Sequence, residues 1–279
     1  MLPGKVPPKK PAPDATYPPA LAAAWGLVEP PGRGPRPGMS VAVIVGAAIE
    51  LADADGLGAV SMSRVAARLG YTTMSLYRYV ASKDDLVTLM FDAVLEPLPP
   101  RRRHAGWRAG LRTWAHELMD VHLRHPWLVD VPITGPPAMP NQLAWLDWGL
   151  GELDDSGLPA AERLSVMLLL SGYVRNVAQL RRDILSEQRR AGTSSAEVNA
   201  RYQELLGQLV TRERFPHLHD ALRAGLLTDG DEDDDLEFEF GLERILDGVE
   251  AFIRSRLRRG REAEPHARPR GDPVRRPRP

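Results

Sequence analysis

The stretch SMSRVAARLGYTTMSLYRYVASKDDL, residues 61–86, decides the fold. Ser61, Thr72 and Ser82 each stand where a hydroxyl accepts a free backbone N–H at a helix start. Gly70 stands where a chain leaves a helix with positive φ. The pattern predicts a helix from Ser61 to Leu69 and a tight turn. A further helix follows from Thr72 to about Val80, and another opens at Ser82 with the acidic Asp85 at its third position. Val65, Leu69, Tyr71, Leu76 and Tyr79 supply a small apolar core, and Ala66 and Gly70 are small where two crossing helices meet. That is the pattern of a helix-turn-helix, with Thr73, Met74, Tyr77 and Arg78 left on the outward face of its second member.

A helix laid in the major groove of duplex DNA needs short polar or apolar groups for base edges and longer groups for phosphates. Thr73 and Ser75 are of a size to reach bases or sugar-phosphate, and Met74 to touch a thymine methyl. Tyr77 and Lys83 are placed to hold phosphates, Lys83 beside the free backbone amides of a helix N-terminus.

Working outward, Ser40 caps a helix to about Asp55 whose apolar face is Val41, Ile44, Val45, Ala48, Leu51 and Ala52, closed by Gly56. Leu86, Leu89, Met90, Ala93 and Val94 continue the helix from Ser82 until Pro97, Pro99 and Pro100 stop it. Residues 1–38 are proline-rich and read as a flexible arm in which Ala20 to Val28 allow at most a short helix. Its Arg33 and Arg36 are candidates for a minor-groove contact. The expected organisation is an arm over 1–38, a DNA-binding domain over 39–98, a larger ligand-binding and dimerisation domain over 99–257, and a disordered basic tail over 258–279. Helices are expected over 107–124, 141–154, 160–190, 195–212 and 236–257, with no strand alternation, so the class is all-α.

The whole set is specific: Ala47-Ala48-Ile49-Glu50-Leu51-Ala52, Gly56, Val65-Ala66-Ala67-Arg68-Leu69-Gly70, Leu76-Tyr77-Arg78-Tyr79-Val80 and Lys83-Asp84-Asp85-Leu86, in that order and spacing, resembles the TetR-family DNA-binding domain. The resemblance implies that Ser63, Thr73, Met74 and Ser75 face bases or nearby backbone and that Tyr77 and Lys83 clamp phosphates. More loosely, Trp107 to Arg112, His125-Pro126-Trp127 and Asn141 to Leu146 resemble the regulatory domain of the tetracycline-repressor branch. Gln142 falls where that branch has a ligand-contacting glutamine, while Trp114 and Leu118 replace an asparagine and an aromatic residue of its drug pocket. Pro99 stands where the branch has a metal-binding histidine, which argues against tetracycline with magnesium as effector.

Within the larger domain, Leu111, Trp114, Leu118, Val121, His122 and His125 share one helix face, with Trp145 and Trp148 able to oppose it. Trp114, Leu118, His122, Gln142, Trp145 and Trp148 are therefore the candidate effector contacts. Aromatic walls with few polar groups suit a drug-sized apolar or cationic molecule. The competing reading of these tryptophans is plain core. His116, Glu117, Asp120, His122 and His125 do not converge on one side of their helix, so no metal site and no cofactor are expected. The acidic run of Asp229 and 231–235 lacks the glycine and distal glutamate of a calcium loop. Phe238, Leu242, Ile245, Val249 and Phe252 alternate by four and three, the seam of a helix expected to pack against a symmetry-related partner, with packing inside one subunit as the alternative; the family resemblance implies an intersubunit four-helix bundle made with the helix from Ala160.

Composition limits the alternatives. The 279 residues are 43% hydrophobic and 26% charged with net charge −1, enough apolar material for a sizeable core and too little positive charge for a protein that coats nucleic acid. The absence of cysteine removes disulfides and thiol nucleophiles and fits a reducing cytoplasm. No apolar run suggests a signal peptide or membrane span. A helical enzyme using the His116 to His125 helix as general base, or a protein-binding adaptor, would be the other classes. No nucleophile elbow, phosphate loop or dinucleotide fingerprint supports the first, and neither accounts for Tyr77 and Lys83. The expectation is a homodimeric, ligand-responsive repressor that is not an enzyme.

Overall fold

Five helices, four of them opened by a hydroxyl cap and forming the head, make up the N-terminal part of the computed structural model, which describes residues 17–27, 39–100, 104–192, 194–225 and 234–263. Helix α1 is Pro19–Ala24 and α2 is Val41–Asp55. The helix-turn-helix pair is α3, Met62–Leu69, and α4, Thr73–Tyr77, and α5 is Lys83–Ala93. Ser40, Ser61, Thr72 and Ser82 each accept the backbone N–H three residues on, from Val43, Arg64, Ser75 and Asp85. Each satisfies one of the donors that a helix start leaves free. Gly70 closes α3 at φ +72°, a conformation a side chain resists, and Tyr71 N donates back to the Ala66 carbonyl at 2.9 Å. α4 is shorter than the sequence reading placed it: Arg78 is its C-cap, and the chain turns at Tyr79 and Val80 instead of continuing as helix.

The larger part comprises α6, Trp107–Arg124; a 3-10 turn at Pro126–Asp130; α7, Pro140–Glu152; α8, Ala160–Ala191; α9, Ser195–Leu209; α10, Pro216–Arg223; and α11, Asp234–Ala263. The described residues contain no strand. α6 packs along α8 and α7, and α8 along α11, so one apolar core runs from the head through these layers. Arg175 on α8 donates to the carbonyls of Val129 and Val131, both at 2.8 Å, and so satisfies the end of the 3-10 turn that α6 runs into.

Four expectations change. Residues 19–24 form the short helix that the sequence allowed, but it is docked and not part of a flexible arm, with Ala20 and Ala22 buried. Pro216, which falls outside every helix expected from the sequence, occupies the first turn of α10, where its missing N–H costs nothing. On α11, Phe238, Leu242 and Val249 of the expected intersubunit seam are buried within the subunit, Phe238 stacked on Tyr173 with ring centroids 5.7 Å apart. Ile245 is half-buried against the core and Phe252 is exposed. The tail expected to be disordered from 258 instead continues α11 to Ala263, and Arg33, Arg36, residues 101–103, residues 229–233 of the acidic run and the tail from 264 lie outside the described residues.

Candidate DNA interface and effector layer

α4 is too short to hold its shape without neighbours, and its inward anchor is Leu76, fully buried against α3. The other side is bare: Met74 is 75% exposed and Tyr77 45%. A thioether and a phenol left in water on a five-residue helix are not serving the core. Thr73 is half-buried beside them and Arg78 exposed. Ser75 is turned toward the start of the helix, its hydroxyl 2.8 Å from that of Thr72. Ser63 is exposed on α3, its hydroxyl 3.1 Å from that of Ser61. Lys83, the first residue of α5, is exposed.

The electrostatics of the head are sparse. Residues 39–98 hold four basic and seven acidic side chains. Two of the four are committed within the head: Arg64 to Asp55 at 2.7 Å and Arg68 to Glu50 at 2.6 Å. Arg78, the C-cap of α4, and Lys83, the first residue of α5, are exposed and form no ion pair with a described residue.

Of the predicted effector residues, Trp114, Trp145 and Trp148 meet in a layer between α6 and α7. Trp114 meets Trp145 edge-on with centroids 6.1 Å apart, and Trp145 meets Trp148 at 5.4 Å. Trp114, Leu118, His122, Trp145 and Trp148 are buried, and Gln142 is half-buried. Every indole N–H in the layer is held by the protein: Trp114 donates to the Trp145 carbonyl, Trp145 to the Leu95 carbonyl and Trp148 to Glu152. His122 is 2.9 Å through Nδ1 from the Leu118 carbonyl. A carbonyl only accepts, so the hydrogen sits on Nδ1 and Nε2 keeps its lone pair. Burial, with the charge of Arg175 behind it, pushes the His122 pKa below its ordinary value, so the ring is neutral. The remaining histidines of α6 and its end part company: His116 pairs with Glu239 of α11, and His125 with Asp53 of α2. Among the described residues no group of three His, Asp or Glu comes together as a metal site.

Two joints that the sequence did not announce tie head to layer. Asp92, buried at the end of α5, accepts the backbone N–H of both Asn141 and Gln142 at 3.0 Å, and so caps α7 from another helix. Asn141 returns a side-chain bond to the Asp92 carbonyl. Burial holds the Asp92 pKa above the ordinary carboxylate value, and the two amides offset only part of that rise. Asp53, in the last turn of α2, accepts from Trp127 Nε1 at 2.7 Å and contacts His125 Nδ1 at 2.8 Å, joining α2 to the turn after α6. These partners are 49 to 74 residues apart in the chain, and an aspartate inside an apolar helix face was the one available signal.

A groove of about 430 Å³ lies elsewhere, between α8 and α11, lined by Val166, Leu169, Ile245, Val249 and Phe252 with Glu162 and Arg244 at its rim. Leu164, Leu168, Phe240 and Leu257 lie exposed on the same two helices.

With this geometry in place, comparison with known proteins is direct. Residues 44–90 match the family described as bacterial regulatory proteins, tetR family, and residues 98–253 match the tetracyclin repressor-like C-terminal domain. The chain belongs to the TetR family. It is a DNA-binding transcription factor and not an enzyme. Among its relatives is the HTH-type transcriptional repressor DrrR1 of Streptomyces coeruleorubidus, 37% identical over 242 residues, 85% of this chain and 86% of that protein. An HTH-type transcriptional regulator of Saccharopolyspora erythraea is 35% identical over 178 residues, 63% of this chain and 75% of that one. The TetR-family protein ActR of Streptomyces coelicolor, solved in complex with actinorhodin, superposes with a TM-score of 0.65 at 29% identity, covering 77% of this chain and 97% of that one. Its complex with (S)-DNPA gives 0.63 at 25% identity, covering 78% and 100%. No helix among the described residues is long and apolar enough to cross a membrane.

Proposed function

We propose that this TetR-family regulator is a homodimeric repressor that places α4 of each subunit in successive major grooves of a palindromic operator and is released when a small apolar or cationic molecule enters the α6–α7 layer. The observation that carries the DNA face is the exposure of Met74 and Tyr77 on a helix whose opposite side is fully buried, with Lys83 and Arg78 at its margins. Thr73, Ser75 and Ser63 supply short polar contacts to bases or nearby backbone, and Tyr77 and Lys83 hold phosphates. Arg33 and Arg36 extend the contact into the minor groove. A partner that is chromosomal DNA puts the site of action in the cytoplasm.

The second copy covers the α8–α11 groove, burying Leu164, Leu168, Ile245 and Phe252 in an intersubunit four-helix bundle. The effector reading rests on the tryptophan layer and on ActR, a similar protein solved with actinorhodin and with (S)-DNPA. Trp114, Leu118, Gln142, Trp145 and Trp148 form the walls, and His122 Nε2 accepts from a ligand donor. Entry of a flat molecule parts α6 from α7. α7 starts on Asp92 of α5 and the end of α6 holds Asp53 of α2, so the parting reaches both head helices and changes the spacing of the two α4 elements.

The test is a gel shift with the duplex upstream of the chain's own gene, titrated with salt. Binding by two subunits, preferred over a scrambled duplex and weakening steeply as salt rises, is expected. A monomer, or equal affinity for both duplexes at low ionic strength, contradicts the reading.

A further inference from the structure

Six residues are too few for a helix to stand alone in water, since the cost of nucleation is not recovered over so short a run. Helix α1 is nonetheless fully closed. Leu27 N donates to the Ala22 carbonyl at 2.8 Å and Gly26 N to Ala23 at 3.1 Å, with Gly26 at φ +64°. Its order must therefore come from what it rests on. Ala20 and Ala22 are buried, 4% and 7% exposed, and Leu21 and Ala24 pack on the common core.

Its two polar anchors lie on different parts of the molecule. At one end Ala20 N donates to Asp85 Oδ1 at 3.3 Å, in the first turn of α5 and two residues from Lys83. The other oxygen of the same carboxylate accepts from Ser82, the cap of α5, at 2.7 Å. At the far end Trp25 Nε1 donates to the carbonyl of Ala138, 113 residues away, in the exposed loop that leads into α7. A rotation that separates Asp85 from Ala138 must release one anchor.

We infer that residues 17–27 form an intramolecular strap, which fixes the head against the effector-binding part in one relative position and buttresses the end of α5 that presents Lys83. This rests on the operator-binding reading. A docked strap spares the operator the cost of ordering the head, so strap docking and specific DNA binding are linked with positive sign.

The full-length protein and its Ala20→Arg variant test this, because Ala20 is buried in the common core, where an arginine does not fit. Hydrogen exchange at the amides of residues 22–27 reads docking. Affinity for the upstream duplex and for a scrambled duplex reads function. In the variant these amides are expected to exchange fast. Specific affinity should fall about 5- to 50-fold, with affinity for the scrambled duplex and the melting of the remaining helices unchanged. Trp25→Phe, which keeps the ring and removes one donor, is expected to lose about 2- to 5-fold. Fast exchange with specific affinity within twofold of wild type overturns the strap alone, and slow exchange in the variant overturns its docking geometry. A wild type that does not distinguish the two duplexes overturns the operator reading and the linkage built on it.

Discussion

The head and the effector layer use aromatic side chains in opposite ways. Tyr77 is nearly half exposed on α4, whereas Trp114, Trp145 and Trp148 are buried with their indole N–H groups bonded to the protein. The first arrangement leaves binding capacity on the surface and contributes little to the fold. The second builds the core, and the ligand entry proposed above would displace contacts that hold it. The two regions should therefore respond differently to substitution: the head loses affinity before stability, and the layer loses stability first.

The largest effect that would break this contrast is at Trp145. Trp145→Ala removes a buried indole and orphans the Leu95 carbonyl, and is expected to cost about 3–5 kcal/mol in denaturant unfolding. A cost below about 1 kcal/mol, the range of surface changes, would show the layer to be an open site and not core. Asp92→Ala comes next. It leaves two N–H groups at the start of α7 without a partner, and about 1–3 kcal/mol is expected. Asp92→Asn, which retains an acceptor and relieves the buried charge, should lose less than half of that. In the head, Thr72→Ala removes the cap of α4 and should cost about 1 kcal/mol, read as a small drop in melting temperature.

The smallest effect is with pH. The folded pKa of His122 lies below its ordinary value of 6.5, so the unfolded chain takes up a proton that the folded chain refuses. Its contribution to stability is full above about pH 6.5 and is lost as pH falls below it, down to the depressed folded value. His122→Gln should flatten the slope of unfolding free energy just below about pH 6.5. An unchanged slope would mean that the ring is not buried as described.

How far the sequence foretold the molecule follows the same contrast. The head was legible because its signals are local: Ser40, Ser61, Thr72 and Ser82 are hydroxyls at the turn of an apolar pattern, and each proves to be a bonded cap. The exposure of Met74 and Tyr77 followed from period and from the burial of Leu76 between them. α6 was delimited to the residue because Trp107 to Arg124 carries an unbroken apolar face. Long-range contacts were not legible. Nothing near Asp53 or Asp92 in the chain tells that one will receive Trp127 and the other will cap α7. α1 was undervalued because its helix exists only by docking, and the proline density around it argues locally for an arm. On α11, spacings of four and three describe an apolar seam equally well whether the partner is α8 of the same chain or a second copy. Phe238, Leu242 and Val249 chose the former.

The central claim is that α4 and the start of α5 form a DNA-contacting surface independent of the core. Tyr77→Phe combined with Lys83→Ala, compared with wild type for operator affinity and for melting temperature on the same preparation, tests it most directly. The account predicts about a 10- to 100-fold loss of affinity, a salt dependence shallower by about one unit, and an unchanged melting temperature. Unchanged affinity for the operator, or a loss of affinity that merely tracks a loss of melting temperature, would contradict it.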